Sequence, residues 1–90
     1  MGIMAVKIKI MPKSLETDLM KIEEEVRVVM KTRGVKNPKF EVHPIAFGLK
    51  ALIVLFGWPE EKEFEGFENS LMKIKGISSI KVIDMRRAIG

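Results

Sequence analysis

Cysteine is absent from these 90 residues, and histidine and tryptophan occur once each. Without thiols, neither a disulfide nor a thiolate metal site can hold the chain together, so a hydrophobic core must do so. A lone histidine, His43, excludes a histidine-rich metal site; beside Pro44 it reads as a surface residue rather than a general base. The seven glycines are scattered and form neither a Walker loop nor a dinucleotide fingerprint, so direct nucleotide binding is not expected. Long apolar runs are missing as well. The longest, Ala51 to Phe56, falls far short of the roughly 20 residues that cross a bilayer, and Met1-Gly2-Ile3 lacks the basic start of a signal peptide. Gly2 suits a myristoylation start, but Val6 stands where a Ser or Thr is wanted. A cytoplasmic protein with no membrane attachment is expected.

Catalytic constellations are equally scarce. A hydrolase needs a nucleophile with its base and orienting group, or a metal with several ligands. Glu23-Glu24-Glu25 and Glu60-Glu61 are acidic, but consecutive helical residues point in different directions and do not converge as hard-cation ligands do. They read as solvated helix surface. An acylphosphatase wants an Arg and an Asn around the acyl phosphate, and Asn37 and Asn69 fall in a loop and a helix. No enzyme activity, cofactor or metal site is expected.

What the chain does have is 47% hydrophobic and 31% charged residues, the balance of a soluble globular protein. Its length suits one domain over residues 1–90, burying about two thirds of its unfolded surface. The net charge of +4 favours acidic partners without choosing among them. The basic residues are dispersed and interleaved with acids, except for the pair Arg86-Arg87 near the end.

Val6, Ile8 and Ile10 alternate with Lys7 and Lys9, the period of a half-buried strand that Pro12 stops. Ser14 then suits a helix cap, with Leu15, Leu19, Ile22, Val26 and Val29 as the apolar stripe and Gly34 at the end. Phe40 and Val42 alternate with Glu41 and His43, and Pro44 puts this second strand at an edge. Leu49 to Phe56 is nearly all apolar and reads as a central strand. Pro59 with Glu60, Glu61 and Glu63 opens a second helix, its stripe Phe64, Phe67, Leu71 and Ile74 and its stop Gly76. Ile80 and Val82 begin the last strand. The order β-α-β-β-α-β predicts an α+β, ferredoxin-like split βαβ sandwich: a four-stranded antiparallel sheet with two helices on one face.

That fold hosts many functions, so function must come from particular residues. RNA recognition on this fold uses aromatics on the central strands of the open face, where this chain offers Lys7 and Lys9. Nucleic acid is therefore not the expected partner, although an RNA-binding or small-ligand regulatory domain stays open as an alternative. The outstanding residue is Phe47, a large ring at the turn between strands two and three, held between Pro44 and Gly48. Surface turns are usually polar, and loop residues on a rigid scaffold often make functional contacts. Pattern alone leaves open whether the ring folds back on the sheet or faces a partner.

The element order, the segment Pro44-Ile45-Ala46-Phe47-Gly48-Leu49-Lys50-Ala51-Leu52 and the ending Asp84-Met85-Arg86-Arg87 closely resemble the elongation factor 1-beta family. The likeness covers the archaeal members over the whole chain and the carboxy-terminal exchange domain of the eukaryotic factor. Val6-Lys7-Ile8-Lys9-Ile10-Met11-Pro12 looks like the family's first strand. The resemblance implies guanine nucleotide exchange on elongation factor 1-alpha, the GTPase that delivers aminoacyl-tRNA, with no bond made or broken by the factor itself. It also implies partner-binding roles for Ile45, Phe47, Gly48, Arg86 and Arg87, with the Phe47 ring entering an apolar pocket of the GTPase. A Lys near the carboxyl end of the eukaryotic members reaches toward the magnesium and phosphate site, and Arg87 corresponds to it. The planar guanidinium is not interchangeable with an ammonium. A complex built through the extra amino-terminal region of the eukaryotic factor is not expected.

Overall fold

A computed structural model describes residues 2–89. It contains β1 (Ile3–Pro12), α1 (Leu19–Thr32), β2 (Lys39–Pro44), β3 (Lys50–Pro59), α2 (Glu65–Met72) and β4 (Ile77–Ile89). All strand pairings are antiparallel, in the spatial order β2-β3-β1-β4. The chain therefore adopts the predicted ferredoxin-like arrangement, with β2 at an edge and β3 inside.

Strand periodicity decides which face is covered. Val6, Ile8 and Ile10 of β1 stand opposite Phe56, Val54 and Leu52 of β3, and all six are buried against Ile22, Val26 and Met30 of α1 and Phe67 and Leu71 of α2. One end of this core is aromatic. Phe67 lies 4.7 Å from Trp58 and 5.5 Å from Phe56, centroid to centroid, with Phe64 closing the group. The Trp58 indole donates to the Lys62 carbonyl at 2.9 Å, which ties the turn after β3 to the core.

The first helix starts later than expected. Asp18, not Ser14, is its cap, accepting from the backbone N–H groups of Met20 and Lys21. Lys13 N–H donates to the Gly76 carbonyl and Ser14 closes a turn with Thr17, so residues 13–18 are held as a loop before a helix can begin. Leu15 consequently leaves the predicted stripe and is 65% exposed, while Met30 is fully buried. The second helix is also shorter. β3 runs on through Trp58 to Pro59, and Glu60, Glu61 and Glu63 lie in a turn ahead of Glu65. Ile74 is buried as expected, but beyond the helix end, and β4 begins at Ile77, before Ile80. Gly34 and Gly76 follow their helices at φ of +80° and +98°, as helix-terminating glycines do.

Candidate functional site at the β2–β3 tip

The chain turns between β2 and β3 over Ala46–Gly48. Ile45 N–H donates to the Leu49 carbonyl at 2.7 Å, and Leu49 N–H returns to the Ala46 carbonyl at 3.2 Å. Two consecutive residues lie in the left-handed region, Phe47 at φ 61°, ψ 29° and Gly48 at φ 78°. This is the backbone pattern of a type I′ turn, whose two central positions favour Asn-Gly because both need positive φ. Gly48 meets that demand; Phe47 does not. A bulky side chain there costs roughly 1–2 kcal/mol relative to ordinary backbone conformations.

The ring gains no burial in return, since Phe47 is 92% exposed. Of the six aromatic residues, four form the core cluster and Phe40 lies under the Arg27 guanidinium at 4.4 Å. Phe47 alone faces outward. The question the sequence leaves open is settled by this geometry: the ring does not fold back onto the sheet.

Two further apolar side chains share this end of the molecule. Leu15, displaced from its predicted helix, has its Cδ2 3.4 Å from where a Cβ on Gly48 would stand. Met20, in the first turn of α1, is 76% exposed. Leu15, Leu19, Met20, Gly48 and Lys50 line a shallow concavity of about 380 Å³ that also takes in Asp18. Helical periodicity had placed Leu15 inside, and no short-range signal connects it to Gly48.

The basic ending lies elsewhere. Arg87 pairs with Met4, which stands opposite Trp58, whereas the tip adjoins Lys50 at the other end of β3. The eight residue steps from Lys50 to Trp58 span about 26 Å at strand rise. Adjacent strand residues also alternate faces. Arg86 faces the open side and ion-pairs with Asp84 at 3.1 Å; Arg87 faces the helix side and binds Glu60 Oε2 at 2.5 Å. The structure thus brings Ile45, Phe47 and Gly48 together and separates Arg86 and Arg87 from them and from one another.

His43 is exposed and bonds to Glu41 at 2.9 Å on the edge strand. Among the described residues, no group of three or more His, Asp or Glu side chains is placed to hold a metal ion. No helix among them is long and apolar enough to cross a membrane.

Comparison with known proteins places the sequence in a family. The EF-1 guanine nucleotide exchange domain matches residues 5–88. Elongation factor 1-beta of Methanosarcina acetivorans is 41% identical over 88 residues, covering 97% of this chain and 99% of that protein. Elongation factor 1-beta of Staphylothermus marinus is 34% identical over 84 residues, 91% and 92% of the two chains. That of Nanoarchaeum equitans is 41% identical over 81 residues, 89% and 99% respectively. With a match over nearly its whole length and the fold to go with it, the chain belongs to the EF-1 guanine nucleotide exchange domain family.

Proposed function

We propose that the chain acts as a single cytoplasmic domain that promotes exchange of GDP for GTP on elongation factor 1-alpha. The observation that carries this reading is the outward Phe47 ring, held at a backbone position that folding disfavours, in a member of an exchange family. The ring enters an apolar pocket on the GTPase, with Leu15 and Met20 widening the contact beside it. Ile45 and Gly48 fix the turn that presents it. Arg87 approaches the magnesium and phosphate site from the other end of the sheet, and Arg86 adds charge on the opposite face.

Exchange then follows from differential binding. Two ligands that weaken each other do so reciprocally, so the factor must prefer the GTPase without its nucleotide and Mg²⁺. Each tenfold loss of nucleotide affinity takes about 1.4 kcal/mol of that preference. One buried Phe contributes about 1.5–3 kcal/mol of apolar transfer, a share of the effect and not the whole. A guanidinium competing with Mg²⁺ for phosphate charge supplies another part. The factor itself makes and breaks no bond.

The direct test is release of fluorescent GDP from elongation factor 1-alpha with and without the protein. Accelerated release is expected, and an unchanged rate would sink the reading. A second prediction concerns Glu60, which must let go of Arg87 before Arg87 reaches a partner. Such exposed pairs are worth at most about 1 kcal/mol, so Glu60→Gln is expected to raise exchange by about twofold to fivefold, and Arg87→Ala to lower it. If the Glu60 variant exchanges more slowly, the pair orients Arg87 instead of restraining it.

A further inference from the structure

Strand register collects lysines that are far apart in sequence onto the open face of the sheet. One cross-strand row reads Lys39, Leu55, Lys7 and Asp84; the next reads Glu41, Ile53, Lys9 and Lys81. With Arg86 in the adjoining row, the face carries five cations against two acids, three of the four net positive charges of the chain. The acids are already engaged, Asp84 by Arg86 and Glu41 by His43. Among the described residues, Lys7, Lys9, Lys39 and Lys81 form no ion pair. Lys9 and Lys81 are direct cross-strand neighbours, an arrangement of like charges that opposes sheet formation. Ile53 beneath them is buried although no helix covers this side, which leaves neighbouring side chains such as the Lys9 and Glu41 stems to cover it.

We propose that the four lysines of this face bind the phosphate backbone of double-helical RNA, a role separate from the tip and from Arg86. Protein–protein interface cores are depleted in lysine and enriched in aromatics, and this face has the opposite composition. The missing stacking aromatics, which argue against reading single strands, do not matter for a duplex, where shape and phosphate contacts dominate. Lysines are suited to that task as flexible point charges that meet phosphates without reading bases.

The test is fluorescence anisotropy of a labelled RNA duplex of about 20 base pairs with the whole chain, across about 50 to about 200 mM salt. Four phosphate contacts predict a log–log slope of about −3.6, an affinity loss of about a hundredfold over that range. Lys9→Gln/Lys81→Gln is expected to reduce the slope by about two, leaving a loss of only about tenfold. A helix-side control with the same charge change, Lys21→Gln/Lys75→Gln, is expected to keep the wild-type slope. No binding at the lowest salt, an unchanged slope in the first variant, or an equal loss in the control would each overturn the proposal. So would displacement by polyglutamate as readily as by unlabelled duplex, which marks an acidic-protein site. GDP release is expected to be normal for Lys9→Gln/Lys81→Gln; its loss assigns the face to the GTPase and overturns the RNA reading, while failure of RNA binding leaves the exchange reading intact.

Discussion

Phe47→Ala is expected to slow stimulated GDP release by about tenfold to a hundredfold, the kinetic equivalent of the 1.5–3 kcal/mol that burying one Phe ring contributes. Folding stability should hardly change, because the ring is 92% exposed and touches none of the core cluster. Phe47→Gly sharpens the case. Glycine relieves the positive φ at this position, offset partly by its greater freedom in the unfolded chain, so stability is expected to stay level or rise by up to about 1 kcal/mol. Exchange should fall as far as in the alanine variant. Native rates from both variants would remove the ring from the mechanism, whereas a large loss of stability in Phe47→Ala would show that the ring serves folding after all.

The largest effect on stability is expected from Phe67→Ala. Phe67 is fully buried and packs against Phe56, Trp58 and Phe64, so its removal leaves a cavity that three rigid rings cannot collapse to fill. Such truncations cost about 3–5 kcal/mol, a large part of the 5–15 kcal/mol typical of whole domains. At about 4–8 °C per kcal/mol for a domain of this size, the midpoint should fall by about 12 to 40 °C. Trp58 offers the readout. It is the only tryptophan and is buried in the same cluster, so its emission should shift to the red as the core opens. A midpoint lowered by only a few degrees would mean that the neighbouring rings repack. Folded Phe67→Ala protein should keep the Phe47 contribution to exchange, because the cluster lies at the far end of β3 from the tip, and any loss is expected through Arg87, whose row includes Trp58.

The two variants separate presentation from support, and the sequence reveals these two roles unequally. Support was largely legible. Alternation marked Val6, Ile8 and Ile10, helical spacing marked Ile22, Val26, Phe67 and Leu71, and all of them are buried. Element ends were less so. Leu15 stands four residues before Leu19 and fits the helical stripe, yet the loop is held down by the bond from Lys13 to Gly76, a residue 63 positions away in the chain. The acids Glu60 and Glu61 suit a helix start, but pairing with β1 carries β3 on to Pro59 and leaves them in the turn beyond it. In both cases a long-range contact overrode a local preference.

The functional end was half visible. A ring between Pro44 and Gly48 was conspicuous, but its direction depended on Phe47 taking the first central position of a turn that prefers Asn, which short-range pattern did not show. Arg86 and Arg87 read as one basic pair. Strand alternation places them on opposite faces, one with Asp84 and the other with Glu60.

By itself, then, the sequence determined the order of elements, the face that most of them bury and the presence of a large ring at the β2–β3 turn, because hydrophobic period and glycine positions are properties of neighbouring residues. Only the tertiary structure decided that the Phe47 ring points outward, that Leu15 and Met20 line a concavity with Gly48 beside it, that Arg87 lies at the other end of the sheet, and that Lys7, Lys9, Lys39 and Lys81 share one surface. Those placements depend on register between strands distant in the chain, and register is set by the pairing of whole faces, which no short window of sequence contains.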